Sequence, residues 1–165
     1  MTQVDPRKRP RQQRSIATVQ AIVEAGARIL ERGGLESFNT NAVAALAGVG
    51  VGSLYQYFPS KQALLAELVR SWRTLVVARI EGIAQNPPPG LETFVKALVE
   101  AAVAHQLARP VLARTLDYAE TTLPLQPETD ALLVRLERVA LNLIQIECNP
   151  RQASRSECCA LGRVR

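Results

Sequence analysis

The sequence has few of the residues from which enzymes build metal and nucleophilic sites. It contains one histidine and three cysteines, Cys148, Cys158 and Cys159, whose spacing fits no common metal site. Its carboxylates are scattered, and the glycines of residues 48–52 follow no predicted strand, which a nucleotide-binding glycine loop requires. The sequence therefore predicts no catalytic residues, no metal and no cofactor.

Long apolar runs are also missing. No stretch approaches the ~20 consecutive apolar residues that a membrane-spanning helix needs, and the first residues lack the apolar segment of a secretory signal. These absences predict that the protein has no membrane partner and is cytoplasmic. In that compartment free thiols are the default state of cysteine.

Aromatic residues are scarce, at 4% of the chain, whereas hydrophobic residues make up 47% and alanine and leucine are prominent. This composition favours helices and allows a packed core. The predicted fold class is therefore all-α. The length suits a small N-terminal module followed by a second helical bundle.

The formal net charge of +5 is concentrated at the two ends of the chain. Residues 1–14 carry a net charge of +4 and residues 151–165 a net charge of +3, which leaves −2 for the residues between them. The cations of the first segment, which outnumber Asp5, are Arg7, Lys8, Arg9, Arg11 and Arg14. Such a segment is either a solvated tail or a flexible arm that contacts nucleic-acid phosphates.

Apolar residues recur at helical spacing in seven segments, separated by glycine- and proline-rich breaks. In the fifth segment, Phe94, Val95, Leu98, Val99, Ala102 and Val103 are expected to face inward. The predicted helices are residues 15–32, 40–47, 51–58, 60–85, 91–108, 110–121 and 128–147.

The second and third segments are short and are joined by Gly48-Val49-Gly50. Two short helices joined by a three-residue turn that contains glycine make a helix-turn-helix. Thr40 is the predicted cap of the first helix and Gly50 that of the second. The small core beneath them is expected to contain Leu35, Phe38, Val49 and Phe58.

Residues 39–61 carry many typed positions at fixed spacing: Val43-Ala44, Ala47-Gly48-Val49, Gly52, Tyr55, Tyr57-Phe58 and Lys61. Together with residues 22–33, which look like the preceding helix, they resemble the DNA-binding module of TetR-type transcriptional regulators. Gly50 stands where the family usually has a capping serine, and Asn39 where a threonine is common. Glycine is a weaker cap by only a few tenths of a kcal/mol, so the module is expected to persist.

The resemblance implies that the third helix lies in the major groove of DNA and that Val51, Ser53 and Gln56 read base edges there. Gly52 would allow close approach to a phosphate. Of the two tyrosines, which alternatively belong to the core, Tyr57 is favoured to place its hydroxyl on a phosphate. The phosphate or groove contacts that the resemblance implies are Thr40, Asn41, Tyr55, Tyr57 and Lys61. In the basic arm, Arg9, Arg11 and Arg14 are further candidates, because a basic segment beside a helix-turn-helix suits contact with phosphates.

The predicted organisation is a basic flexible arm over residues 1–14, a helix-turn-helix domain over 15–60, a helical regulatory domain over 61–148 and an irregular basic tail over 149–165. The resemblance implies that the regulatory domain binds a small-molecule effector. Its weak candidate pocket residues are Trp72, His105 and Tyr118, although an aromatic residue on a helical stripe is more often part of the core.

The main functional hypothesis is a sequence-specific DNA-binding regulator, a repressor that a small-molecule ligand releases from DNA. It would bind a palindromic operator in double-stranded DNA as a homodimer. Members of the family continue with two long helices that pair the subunits, whereas residues 149–165 show no helical stripe. The alternative hypothesis is an interaction-only or competitor subunit with impaired dimerisation and impaired DNA reading.

Overall fold

The computed structural model describes residues 5–6 and 13–148, and all regular structure in that part of the chain is helical. The all-α prediction is confirmed, and each of the seven predicted segments is a helix. Arg9, Arg11 and the predicted tail over residues 149–165 lie outside the described residues. The helices are α1 (Gln13–Ser37), α2 (Thr40–Ala47), α3 (Val51–Tyr57), α4 (Lys61–Gln85), α5 (Leu91–Ala108), α6 (Pro110–Thr121) and α7 (Gln126–Cys148).

Two glycines with positive φ shape the chain around the predicted helix-turn-helix. Gly34 (φ 61°, ψ −161°) has a non-helical backbone and divides the span of α1 into two helical segments at a kink, so the first segment ends at the Gly33-Gly34 pair, where the helix was predicted to end. Gly48 (φ 68°, ψ 29°) ends α2 in the left-handed conformation, and its N–H donates to the carbonyl oxygens of Ala44 and Ala45. A side chain at either position would be strained, which is why glycine fits both.

The cap of α2 is Asn39, and the prediction of Thr40 for this role was wrong. The side-chain oxygen of Asn39 accepts a hydrogen bond from the backbone N–H of Ala42 at 2.9 Å. Asparagine caps a helix at least as well as threonine, and with Asn39 in an extended conformation Thr40 becomes the first helical residue. The hydroxyl of Thr40 is therefore available for another partner. Gly50 caps α3, as expected.

One compact unit consists of the described residues up to Val76 together with Val103–Leu125. Its core is formed by apolar side chains of α1, α2, α3, α4 and α6, and α6 packs directly on α1. Because of that packing, the unit reaches past the predicted domain boundary at residue 60; the functional domain boundaries stay a prediction. The predicted core residues Phe38 and Phe58 are buried, and Leu35 and Val49 are partly buried and pack against this core.

The side chain of Arg109 joins the start of α6 to α1. Its Nε and Nη2 atoms donate to both oxygens of Glu31 at 2.6 and 2.7 Å, and its Nη1 donates to Glu24 at 3.1 Å. The hydrogen bonds from Arg109 hold the pKa of Glu31 below its ordinary value of 4.5. Those same contacts, the one to Glu31 first, raise the pKa of Arg109. Both groups therefore stay charged at neutral pH.

The second compact unit contains Val77–Ala102 and the described residues from Gln126 to Cys148. Arg135 of α7 donates to Glu81 of α4 at 2.6 Å. The expected inward stripe of α5 is correct for Phe94, which is 2% exposed, and wrong for Val95 and Val99, which are 47% and 55% exposed. The reason is geometric: at about 100° per residue, the buried Ala101 lies within about 20° of Phe94 around the helix axis, whereas Val95 and Val99 lie about 100° and about 140° away from it.

Val103, which falls in the first unit, is also exposed, against expectation. Among the described residues, no helix has the length and apolar character needed to cross a membrane.

Candidate nucleic-acid interface

The α2–turn–α3 motif presents one face of α3 to solvent. Leu54 is fully buried and fixes the orientation of α3, while Val43 and Ala44 fix that of α2. Successive residues of a helix are rotated by about 100°. Gly52 and Gln56, two positions before and after Leu54, therefore point most directly away from the core. The exposed residues of α3 are Val51, Gly52, Ser53, Tyr55 and Gln56.

These exposures agree with the surface that a reader of base edges needs. Every residue that the sequence assigned to base reading, namely Val51, Ser53 and Gln56, is exposed on α3. An α-helix inserted in the major groove meets base edges through such outward side chains. The assignment of the individual contacts stays a prediction.

The two tyrosines of α3 differ in their surroundings. Tyr57 is partly buried and packs against the hydrophobic core, whereas Tyr55 is 39% exposed. The hydroxyl oxygens of Tyr55 and Thr40 lie 3.1 Å apart, within hydrogen-bonding distance, and either group can donate. This contact connects the first residue of α2 to the flank of α3. Asn41, the next residue of α2, is exposed beside it.

Lys61 reaches back to the end of α1. Its Nζ atom donates to the carbonyl oxygen of Leu35 at 3.4 Å and lies 5.8 Å from the centre of the Phe38 ring. A cation is favourable beside the carbonyls at a helix C-terminus and over an aromatic face. These contacts account for a lysine in the first turn of α4, a place that the helix dipole of α4 disfavours. The ammonium carries three donors, so a phosphate contact remains compatible with them.

The interface region is free of carboxylates. The sequence contains no aspartate or glutamate from residue 37 to residue 66, a stretch that spans both helices of the motif and the start of α4. A carboxylate here would repel the phosphates of DNA. Lys61 lies within this stretch, and Arg14 is exposed in the first turn of α1. Sequence reasoning missed this signal, which a count of acidic residues along the chain would have found.

The candidate pocket residues fall in two places. Trp72 of α4 and His105 of α5 are in contact, with ring centres 4.0 Å apart and planes tilted by 38°. Trp72 also packs against the core, and an ion pair between Arg73 and Glu120 links α4 to α6. Tyr118 is 65% exposed. The structure thus brings Trp72 and His105 together and leaves Tyr118 at the surface; their role in ligand binding stays a prediction.

The described residues contain no candidate metal site. Over the residues that the structure describes, His, Cys, Asp and Glu side chains form no group of three that could hold a metal ion. The interface is therefore described by its shape, its hydroxyl and amide groups and its cations.

Comparison with known protein families identifies the module. Residues 22–68 match the family of bacterial regulatory proteins described as the tetR family. They are a TetR-family module. The resemblance drawn from the sequence is thereby confirmed.

Two curated proteins are similar to part of this chain. The HTH-type transcriptional repressor KstR of Rhodococcus jostii (strain RHA1) is 41% identical over 68 residues, which cover 41% of this chain and 30% of that protein. The HTH-type transcriptional repressor DrrR1 of Streptomyces coeruleorubidus is 33% identical over 91 residues, which cover 55% of this chain and 31% of that protein. The aligned region thus amounts to less than a third of the length of either protein.

Solved structures extend the likeness to most of the fold. A TetR family transcription regulator from Marinobacter aquaeolei VT8 superposes with a TM-score of 0.62 and 21% identity, covering 86% of this chain and 72% of that one. The fatty acid degradation regulator FadR from Bacillus halodurans gives a TM-score of 0.55 and 22% identity, covering 84% and 66%. At this identity the two structures show a shared fold and nothing more.

Proposed function

We propose that this protein is a sequence-specific DNA-binding transcriptional regulator. The observation that carries the proposal is the TetR-family helix-turn-helix whose third helix exposes Gly52 and Gln56 in a region without carboxylates. An anionic duplex can approach such a surface without electrostatic repulsion. The two curated relatives of the module are repressors by name, which supports repression over activation.

In the proposed complex α3 lies in the major groove. Gln56 pairs with an adenine through its amide, Val51 meets a thymine methyl group, and Ser53 contacts a neighbouring base. The backbone of Gly52 approaches a phosphate closely, since its Cα carries no side chain. The other proposed contacts to phosphates or the groove are Thr40, Asn41, Tyr55, Tyr57, Lys61, Arg9, Arg11 and Arg14.

The protein is proposed to bind a palindromic operator as a homodimer. A single short recognition helix contacts few base pairs, and helix-turn-helix readers gain affinity by placing two copies ~34–36 Å apart. Regulators of this family usually act as dimers. Exposed apolar side chains in the second compact unit support a subunit contact, because such surface is normally buried against a partner. They are Leu91, Val95, Val99, Leu133, Val134 and Leu141.

Release from DNA is proposed to follow binding of a small molecule by the helices after residue 60. A ligand weakens DNA binding only if it prefers a conformation in which the two recognition helices no longer match successive grooves. The contact between Trp72 and His105 marks the place where such a ligand would first be sought, with Tyr118 as the outlying candidate. A protein with this role performs no catalysis and works in the cytoplasm, where bacterial DNA is.

The same exposed apolar side chains favour a second candidate function, that of a subunit which acts by binding another protein. In that case α5 and α7 would bind a partner chain, and the DNA-binding module would contribute no sequence preference. The two functions differ in one measurable property, the ability of the purified chain to select a DNA sequence.

The test is a selection of bound fragments from a random DNA pool, followed by sequencing and by titrations of the selected duplex at several salt concentrations. The regulator should enrich a palindrome with two half-sites, and its affinity should fall steeply as salt rises. Gln56→Ala should bind the selected duplex about tenfold more weakly, while its affinity for a scrambled duplex stays the same. Failure to enrich any sequence at low salt would contradict the regulator and favour the interaction subunit.

A further inference from the structure

Two surface hydroxyls from different helices meet at the edge of the interface. The hydroxyl oxygen of Thr40, at the first residue of α2, lies 3.1 Å from that of Tyr55 on α3, fifteen residues later in the chain. Water competes for exposed hydroxyls, so this contact contributes little to folding stability. Its main physical effect is on orientation, because it restricts the position of the phenol.

We propose that Thr40 is a positioning residue for Tyr55, and that the two hydroxyls together form one hydrogen-bonding unit that binds a DNA phosphate. This inference rests on the DNA-binding function proposed above and adds a coupling between two residues that would otherwise act separately. The proposal gives Thr40 and Tyr55 a role different from that of Gln56 and Ser53, which are proposed to read base edges.

The cap of α2 makes this pairing possible. When a threonine caps a helix, its hydroxyl bonds to a backbone N–H of the first turn. Here Asn39 makes that bond with Ala42, and Thr40 lies one residue inside the helix with its hydroxyl directed at Tyr55. The side chain of Asn39 thus caps α2, and the side chain of the next residue, Thr40, contacts α3.

The place of Tyr55 on α3 favours a phosphate over a base. Tyr55 and Ser53 each lie about 100° from the buried Leu54, on opposite flanks of α3, and the flank of Tyr55 carries the contact with Thr40. That contact shows that this flank faces the start of α2. In helix-turn-helix complexes the first helix of the motif crosses the DNA backbone, so a group on this flank meets the sugar-phosphate chain.

The proton count of the pair fits an anion. Each hydroxyl carries one proton, and their mutual hydrogen bond uses one of the two. The hydroxyl that accepts in that bond keeps its own proton and can donate it in a hydrogen bond to a phosphate oxygen. Between residues 37 and 66 the sequence has no carboxylate to compete for this donor. A phenol already held in place also loses less conformational freedom when DNA binds.

The experiment is a double-mutant cycle with Thr40→Val, Tyr55→Phe and the double variant. Thr40→Ser keeps the hydroxyl, and Thr40→Ala removes it with a smaller side chain than valine. Thr74→Val is the matched control, because Thr74 is a helical threonine of α4 whose hydroxyl bonds within its own helix, to the carbonyl of Arg70 at 2.8 Å. Two probes are used: the duplex that the wild-type protein selects from a random pool, and a scrambled duplex of the same composition. Thermal unfolding checks that each variant is folded.

Tyr55→Phe should weaken binding about tenfold on both duplexes, as expected for loss of a hydrogen bond to a charged group. Thr40→Val and Thr40→Ala should weaken it several-fold, and the double variant should bind like Tyr55→Phe alone, since Thr40 acts through Tyr55. Thr40→Ser should restore most of the affinity that Thr40→Val loses, and Thr74→Val should bind like the wild type. The slope of log K against log salt should be the same for all variants, because a neutral hydroxyl displaces no counterion.

Several results would overturn the pairing. If the effects of Thr40→Val and Tyr55→Phe multiply in the double variant, the two residues act independently. If the loss is confined to the selected duplex, Tyr55 reads a base. A Thr40→Ala protein with wild-type affinity would remove Thr40 from the interface. A wild-type protein that binds neither duplex at low salt would overturn the proposed function and the pairing together, whereas binding with an additive cycle would overturn the pairing alone.

Discussion

Arg109 joins α6 to α1 through three hydrogen bonds to two carboxylates, so Arg109→Gln should destabilise the first compact unit. The Arg109 and Glu31 side chains are only 29% and 28% exposed, and their contact is bidentate. The contribution of this contact to stability should therefore exceed the ~0–1 kcal/mol of an ordinary surface ion pair. It should lie in the range of ~1.5–3 kcal/mol that is typical of hydrogen bonds to charged groups. With a discount for partial exposure, the expected loss is about 2 kcal/mol.

For a chain of this length each kcal/mol lowers the unfolding temperature by about 2–4 °C, so Arg109→Gln should unfold about 4–8 °C below the wild type. Thermal unfolding followed by circular dichroism at neutral pH measures this difference. The matched control is Arg28→Gln, which removes the same charge from an exposed pair with Glu24 four residues away on α1. Such pairs contribute only ~0.2–0.5 kcal/mol, so the control should shift the temperature by at most about 2 °C.

The pH dependence gives this prediction a second, independent check. In the folded protein the pKa of Glu31 is lowered from its ordinary value of 4.5, mainly by hydrogen bonds from Arg109. A lowered folded-state pKa contributes stability that is complete above 4.5 and is lost as the pH falls through the folded value. The gap between wild type and Arg109→Gln should therefore be constant near neutral pH and shrink below pH 4.5. A gap no larger than that of Arg28→Gln, or one unchanged at low pH, would refute the reasoning.

Three further predictions test the packing, the cap and the charge of the module. Gly26→Ala should lower the free energy of unfolding by about 1 kcal/mol despite the better helix propensity of alanine, because the added Cβ would lie 3.1 Å from Leu68. The control Gly82→Ala on α4, whose added Cβ would have nothing within 4 Å, should raise that free energy by up to ~1 kcal/mol, and equal shifts of the two variants in chemical denaturation would disprove the steric argument. Asn39→Ala should lower stability by about 1 kcal/mol through loss of the α2 cap; a change under ~0.3 kcal/mol would show that the cap is dispensable. Lys61→Gln should weaken binding equally on selected and scrambled duplexes and reduce the salt slope by about 1; an unchanged slope in anisotropy titrations would assign Lys61 to structure alone.

The sequence carried enough information to predict the helices, since their boundaries depend on local chemistry. α5 and α6 begin and end at the predicted residues because glycine, proline and the apolar period are all read within a few positions. The orientation of α5 was not predictable in the same way. It has apolar residues on two sides, and periodicity alone does not say that Phe94 turns inward while Val95 and Val99 stay exposed.

Contacts between residues that are far apart in the sequence were also not predictable. Arg109 bonds to Glu31 across 78 residues, and no spacing rule connects them. The exposure of the base-reading candidates on α3 was expected, because family-specific positions and helical geometry agree there. The contact of Lys61 with Leu35 was not, because it depends on where α1 ends after the kink at Gly34.

A shift of one residue in the cap of α2 changes what its first turn does. With Thr40 as the cap, its hydroxyl would bond to the backbone of α2, and Tyr55 would have no partner from that helix in this position. With Asn39 as the cap, the helix end is satisfied and the hydroxyl of Thr40 meets that of Tyr55 at 3.1 Å. Asn39→Ala therefore tests the cap of α2 and the contact between Thr40 and Tyr55 in one variant. If Thr40 moves to the vacated capping position, DNA affinity falls by about as much as in Thr40→Val. If only the cap is lost, stability falls and DNA affinity stays unchanged.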